Sequence, residues 1–142
     1  MKKVIIFCTL LFTLGSCSND NIKVVATEYQ GQWNLYQMSG SMMNSETTGA
    51  AMEWQENYIF NKDGSFKKSR TTNGVKKEIT GSFIVKKIQQ ETYLELNYKT
   101  DSELIGSCYG NNKEELFVLP NSVLSSTWKN CDGPGLEYKK VQ

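Results

Sequence analysis

Apolar and polar residues alternate with a period of two through most of this chain, and no stretch carries a convincing 3.6-residue period, so the pattern predicts strands. Residues 54–85 carry the clearest signal and read as two consecutive hairpins. Asn61-Lys62-Asp63-Gly64-Ser65 predicts a three-residue hairpin loop with a bulge, Gly64 taking the left-handed conformation and Phe60 facing Phe66. Asn73-Gly74 predicts a two-residue type I′ turn, which needs positive φ at both positions and pairs Thr72 with Val75. Counting outward by twos from both turns places Trp54, Tyr58, Phe60, Phe66, Ile79, Phe83 and Val85 on one face, with Gly81 across from Phe66. That face is a core. Lys68, Arg70 and Lys77 fall on it as well, at the end nearest the second turn.

Further strands are expected at residues 28–38, 92–99, 115–119, 123–128 and 136–141, with a less regular one at 103–109. In residues 92–99, Leu94, Leu96 and Tyr98 share one side. Nine candidate strands at short spacing predict an all-β sandwich or barrel. A barrel is favoured because hairpin follows hairpin and closure removes the exposed edges a meander would leave. Residues 39–51 are rich in Ser, Thr, Gly and Met and read as a long loop whose main apolar content is Met42 and Met43.

The chain opens Met-Lys-Lys and is apolar from Val4 to Leu14, too short for the ~20 residues of a spanning helix but suited to an export signal. Leu14-Gly15-Ser16-Cys17 resembles the lipobox of bacterial lipoproteins. The resemblance implies that residues 1–16 are removed, that Cys17 is diacylated, by palmitate-type chains, and that residues 17–27 tether a domain at 28–142 to the membrane. An ordinary secretory signal cut near Cys17 is the other reading. Losing Lys2 and Lys3 takes the basic count from 16 to 14 against 15 acidic residues, so no overall charge argues for nucleic acid. Of the four cysteines, Cys108 and Cys131 remain as a pair in an oxidising compartment and are expected to be bonded, worth roughly 3–4 kcal/mol from loop closure. Two free thiols or a metal pair would be the alternative, and without histidine a zinc site there would need carboxylates.

Gly31-Gln32-Trp33 at the start of the first strand, the Tyr58 to Phe66 hairpin, Gly81-Ser82-Phe83 and the late Glu137-Tyr138-Lys139-Lys140 strand together resemble the small lipocalin-like lipoproteins of Bacteroidota. That resemblance implies a lipocalin-like (calycin) antiparallel barrel of about eight strands over residues 28–141, outer-membrane attachment, and a first loop that lids the open end. The helix such proteins carry after the last barrel strand has no counterpart before Gln142.

Histidine is absent, which excludes Ser-His-Asp, Cys-His and histidine metal sites; no phosphate loop or dinucleotide fingerprint is present. No cofactor or metal is expected, and no catalysis. Glu53, Glu56, Glu78, Glu95 and Glu103 stand where surface strand residues usually stand, although Glu56 is also predicted opposite Arg70. Three inward cations without partners would cost several kcal/mol each, so Lys68, Arg70 and Lys77 must line a wetted cavity, pair with acids, or emerge at the rim. The functional expectation is a membrane-anchored barrel binding a small apolar or amphipathic molecule inside. The ligand would lie against Trp54, Tyr58, Phe60, Phe66, Ile79 and Phe83, its anionic group held by a collar of Lys68, Arg70 and Lys77. The alternative is a filled barrel that engages another envelope protein or a host protein through its loops.

Overall fold

A computed structural model of the chain describes residues 27–142. The expected export signal, Cys17 and nearly all of the expected tether lie outside the described residues.

Nine strands follow one another in sequence: β1 (Gly31–Ser39), β2 (Thr47–Thr48), β3 (Gln55–Phe60), β4 (Ser65–Thr72), β5 (Val75–Ile88), β6 (Glu91–Tyr98), β7 (Lys113–Leu119), β8 (Val123–Ser126) and β9 (Gly135–Lys140). β1 and β3 to β9 are antiparallel neighbours in chain order, and pairing of β1 with β9 closes the ring. The two-residue β2 flanks β1 outside the ring. The result is the expected all-β meander closed into a small lipocalin-like barrel of eight strands.

Both hairpins keep their predicted register. Phe60 faces Phe66, Glu56 faces Arg70, Thr72 faces Val75, and Phe66 faces Gly81. The turns carry the backbone the sequence demands, with φ of 82° at Gly64, 51° at Asn73 and 79° at Gly74. Gly81 has a second reason to be glycine: a Cβ there would lie 2.2 Å from the Asn97 carbonyl oxygen and 2.7 Å from the Phe66 ring.

Two segments depart from expectation. Residues 103–109 form no strand; Leu104 is buried, Gly106 backs onto Trp128, and Cys108 is bonded to Cys131. A segment held at those points arcs over the barrel end instead of pairing along it. The long loop at 39–51 is also more ordered than its composition suggests. Ser39 ends β1, Thr47 and Thr48 pair with Met38 and Gln37, and a 3-10 turn spans Gly49–Ala51.

One end of the barrel is plugged by Tyr29 and Trp33, the indole Nε1 of Trp33 donating to the Tyr29 carbonyl at 2.8 Å. The opposite end, here called the mouth, gathers residues 40–54, the Asn73-Gly74 turn, residues 99–112 and residues 127–134. The Cys108–Cys131 disulfide, with Cα atoms 5.7 Å apart, ties the last two segments together, and Trp128 packs against Gly106 and Gly133.

Candidate functional site

Side chains alternate inward along every barrel strand, and between plug and mouth they make two layers. Nearest the plug, Phe60, Phe66 and Phe83 pack ring against ring, with Phe60 4.8 Å from Phe83 and 6.0 Å from Phe66 between centroids. Leu94, Leu96, Leu116, Leu124 and Leu136 are fully buried around the interior. Tyr58 joins the layers, stacked 5.6 Å from Phe60 and set edgewise 5.0 Å from Tyr138. Six of the nine residues expected to line a ligand cavity, Tyr58, Phe60, Phe66, Lys68, Ile79 and Phe83, are instead buried at 8% exposure or less. The alternation that points them inward also brings their large side chains into mutual contact, as an eight-stranded ring permits.

Toward the mouth the interior becomes ionic. Lys68, fully buried, sits 3.1 Å from both carboxylate oxygens of Glu114 and 3.2 Å from Glu56 Oε1. Arg70 Nε donates to Glu56 Oε2 at 2.5 Å, and its guanidinium stacks 4.3 Å from the Trp54 ring centroid. Tyr138 donates its hydroxyl to Glu56 Oε1 at 2.6 Å, and Tyr98 donates to Glu114 Oε2. Two carboxylates therefore balance one ammonium and one guanidinium, and each carboxylate is bonded by more than one donor, which is what makes burying them tolerable. Burial lifts the Glu114 carboxyl above the usual carboxylate range against the opposing pull of Lys68. The same burial, reinforced by the two carboxylates, pushes the Tyr58, Tyr98 and Tyr138 hydroxyls well above the ordinary tyrosine value.

Glu56 thus corrects the expectation that it is a surface residue: it is 3% exposed and points inward. Its spacing of two from both Trp54 and Tyr58 is the signal that places it there. Glu114 was not singled out, yet Glu114, Leu116 and Val118 alternate on β7 as plainly as the hairpin residues do. The three inward cations take all the routes that energetics allows. Lys68 pairs with acids, Arg70 pairs and also reaches the mouth, and Lys77 emerges at the rim, where it is ion-paired with Glu103.

Above the ionic layer lies an open cleft of about 530 Å³ at the mouth. Trp54, Arg70 and Lys77 line it, joined by Glu53, Thr72, Asn73, Val75, Glu103 and Leu104. The cleft exists because β5 outruns its neighbour. Residues 75–80 pair with β4, while β6 begins pairing only at Gly81, so the β4–β5 hairpin overhangs the barrel. Leu104 returns from the β6–β7 connection to form the opposite wall, its carbonyl accepting from Arg70 Nη2 at 3.4 Å. The Trp54 indole N–H is buried there without a hydrogen-bond partner. Leu104 was missed because nothing local in an irregular stretch says which way it turns.

On the barrel's outer face Glu95 also departs from the expected surface position: it is 7% exposed, covered by the groups it accepts from, Lys86, Lys113 at 3.5 Å and Asn97 at 3.2 Å, beside a smaller hollow of about 280 Å³. Among the described residues no group of three or more His, Cys, Asp or Glu side chains could hold a metal ion, and no helix is long and apolar enough to cross a membrane.

Fold and site together define a small closed antiparallel β-barrel with an ionic layer beneath one open mouth. Comparison with family models, with curated proteins and with solved structures finds no match to this chain.

Proposed function

We propose that this protein is a lipid-anchored component of the bacterial cell envelope, and that it binds a small amphipathic molecule at the mouth of its barrel without catalysing a reaction. The observation that carries this reading is the cleft of about 530 Å³, with apolar walls at Trp54, Val75 and Leu104 beside polar groups at Arg70, Asn73 and Thr72. Its size and mixed lining suit a small-molecule site. With the interior filled by side chains, this reading takes the rim as the site in place of the barrel centre expected from the hydrophobic pattern. The apolar run Val4 to Leu14 ending in Leu14-Gly15-Ser16-Cys17 supports the lipid anchor, and the resemblance to outer-membrane lipoproteins supports that address.

Native mass spectrometry with lipid extraction, on protein purified from its own envelope, tests the reading. A stoichiometric small molecule in the wild type, lost or depleted in Trp54→Ala and Arg70→Ser, is expected. A clean unliganded mass in all three contradicts it.

A second reading, that of a solid barrel acting as an interaction module, is favoured by Met42 and Met43. Both stand on the first mouth loop with 80% and 91% of their surface exposed. Methionine adapts to irregular partner surfaces. Cross-linking in cells from position 43 would recover an envelope or host protein under this reading.

A further inference from the structure

This inference rests on the mouth cleft being the binding site. Arg70 spends its Nε on Glu56 and one Nη2 contact on the Leu104 carbonyl, fewer than half of the N–H donors a guanidinium carries. The rest meet no protein acceptor, and the side chain lines the cleft. Behind it the charges are already balanced: Glu56 and Glu114 against Lys68 and Arg70.

We propose that the cleft takes the anionic headgroup of an amphipathic molecule, of carboxylate or sulfonate type, on the free N–H edge of Arg70, and that each anion bound draws one proton from solvent into the Glu56–Lys68–Glu114 cluster. The cause is charge balance. An anion on Arg70 shares the guanidinium with Glu56 and leaves the layer behind it one negative charge in excess, and an unbalanced charge is expensive among side chains with no exposure.

The groups that face the cluster decide which of them takes the proton. They are Glu56 and Tyr58 from β3, Lys68 and Arg70 from β4, Tyr98 from β6, Glu114 from β7 and Tyr138 from β9. Arg70 is held in its charged form by Glu56, Lys68 is already ion-paired with both carboxylates, and burial holds the three tyrosine hydroxyls well above their ordinary value. Only the carboxylates remain. The proton goes to Glu114, which has Lys68 as its one cationic partner where Glu56 has both Lys68 and Arg70, and whose neutral form burial favours. Glu53, Lys77 and Glu103 face the cleft itself, and Lys77 and Glu103 form an exposed pair that water can rebalance.

Isothermal titration calorimetry on the full chain in lipid nanodiscs, with empty nanodiscs as reference, tests this using octane-1-sulfonate and neutral 1-octanol. The sulfonate stays ionised throughout, so any proton taken up belongs to the protein. Repeating the titration in buffers of different ionisation heat is expected to count close to one proton per sulfonate. Affinity is expected to fall about tenfold per pH unit as pH rises above the range where the cluster protonates unaided. Octanol is expected to bind without proton uptake. Glu114→Gln, which leaves the cluster one positive charge in excess, is expected to bind the sulfonate with an affinity independent of pH and equal to the wild type's at its acid limit. Sulfonate binding with no proton uptake in the wild type overturns the coupling. Octanol binding at least as tightly as the sulfonate at every pH overturns the anionic headgroup while leaving the cleft intact. Binding of neither probe overturns the cleft reading itself.

Discussion

The plug half and the mouth half of this barrel are lined by the same inward alternation and filled by opposite chemistry. Around Phe60, Phe66 and Phe83 the interior is dry and held by shape. Two to four residues further along β3 and β4, Glu56, Lys68 and Arg70 meet Glu114 from β7 and fill the space with charge, held by pairing. The contrast teaches that inward-facing and apolar are separate properties. A strand places a side chain on the inner face whatever its polarity, and the neighbours across the barrel must then satisfy it. Here Glu114 arrives from β7 to pair with Lys68, and Tyr138 from β9 to donate to Glu56, both far along the chain from the hairpin they satisfy.

The largest effect is expected from removing the hub of the ionic layer. Lys68→Met leaves Glu56 and Glu114 without their shared cation, and a loss of about 3–5 kcal/mol is expected in denaturant unfolding at pH 7. Adding Glu114→Gln to it should restore much of that loss, because the second substitution removes the stranded charge. In the dry layer no such rescue exists. Leu116→Ala, at a fully buried position, should cost about 2–5 kcal/mol by leaving a cavity, at acid and neutral pH alike. If both variants lost the same amount and neither responded to pH or to a second substitution, the two layers would not differ as described.

The tyrosines sharpen the comparison from the alkaline side. Tyr58, Tyr98 and Tyr138 have their hydroxyls raised well above the ordinary value by burial. Each therefore holds its proton more tightly in the folded state than in the unfolded chain. Their contribution to stability is complete below pH ~10 and is lost as pH climbs beyond it. An alkaline titration should show tyrosinate absorbance from these three appearing together with the loss of near-UV circular dichroism. Tyr36, held to about 12 chiefly by its hydrogen bond to Glu137, is partly exposed and needs no unfolding to titrate. Three buried tyrosines ionising in a protein that keeps its near-UV spectrum would contradict the closed ionic layer.

The smallest effect is expected outside the barrel. Lys86 pairs with Glu95 on the outer wall, where the lysine is 37% exposed although the carboxylate is nearly covered, and Lys113 offers the same carboxylate a second cation. Lys86→Ala should therefore change stability by less than about 1 kcal/mol. A loss comparable with that of Lys68→Met would mean that burial is not what separates the two sets of ion pairs.

The hairpin core was legible in the sequence because turn chemistry sets register locally. Asn73-Gly74 and Gly64 fix which residues face which, and alternation does the rest. The pairing of Glu56 with Arg70 followed from the same count. What could not be read was the far side of the barrel. No turn links Glu114 or Tyr138 to Lys68 and Glu56, and their approach depends on ring closure between β1 and β9. The cleft was hidden for a related reason: it needs β5 to overrun β6 and Leu104 to fold back from a stretch without periodicity. A ligand cavity was expected at the aromatic face because large inward residues look alike whether they line a space or fill it.

Nuclear magnetic resonance of the isotope-labelled full chain in nanodiscs, titrated with octane-1-sulfonate, separates the proposed site at the mouth from one inside the barrel. Shifts are expected at the Trp54 indole N–H, the Arg70 Nε–H and the Leu104 amide, with Phe60, Phe66 and Leu96 unmoved. Shifts concentrated on those inner residues, with the mouth unchanged, would contradict it.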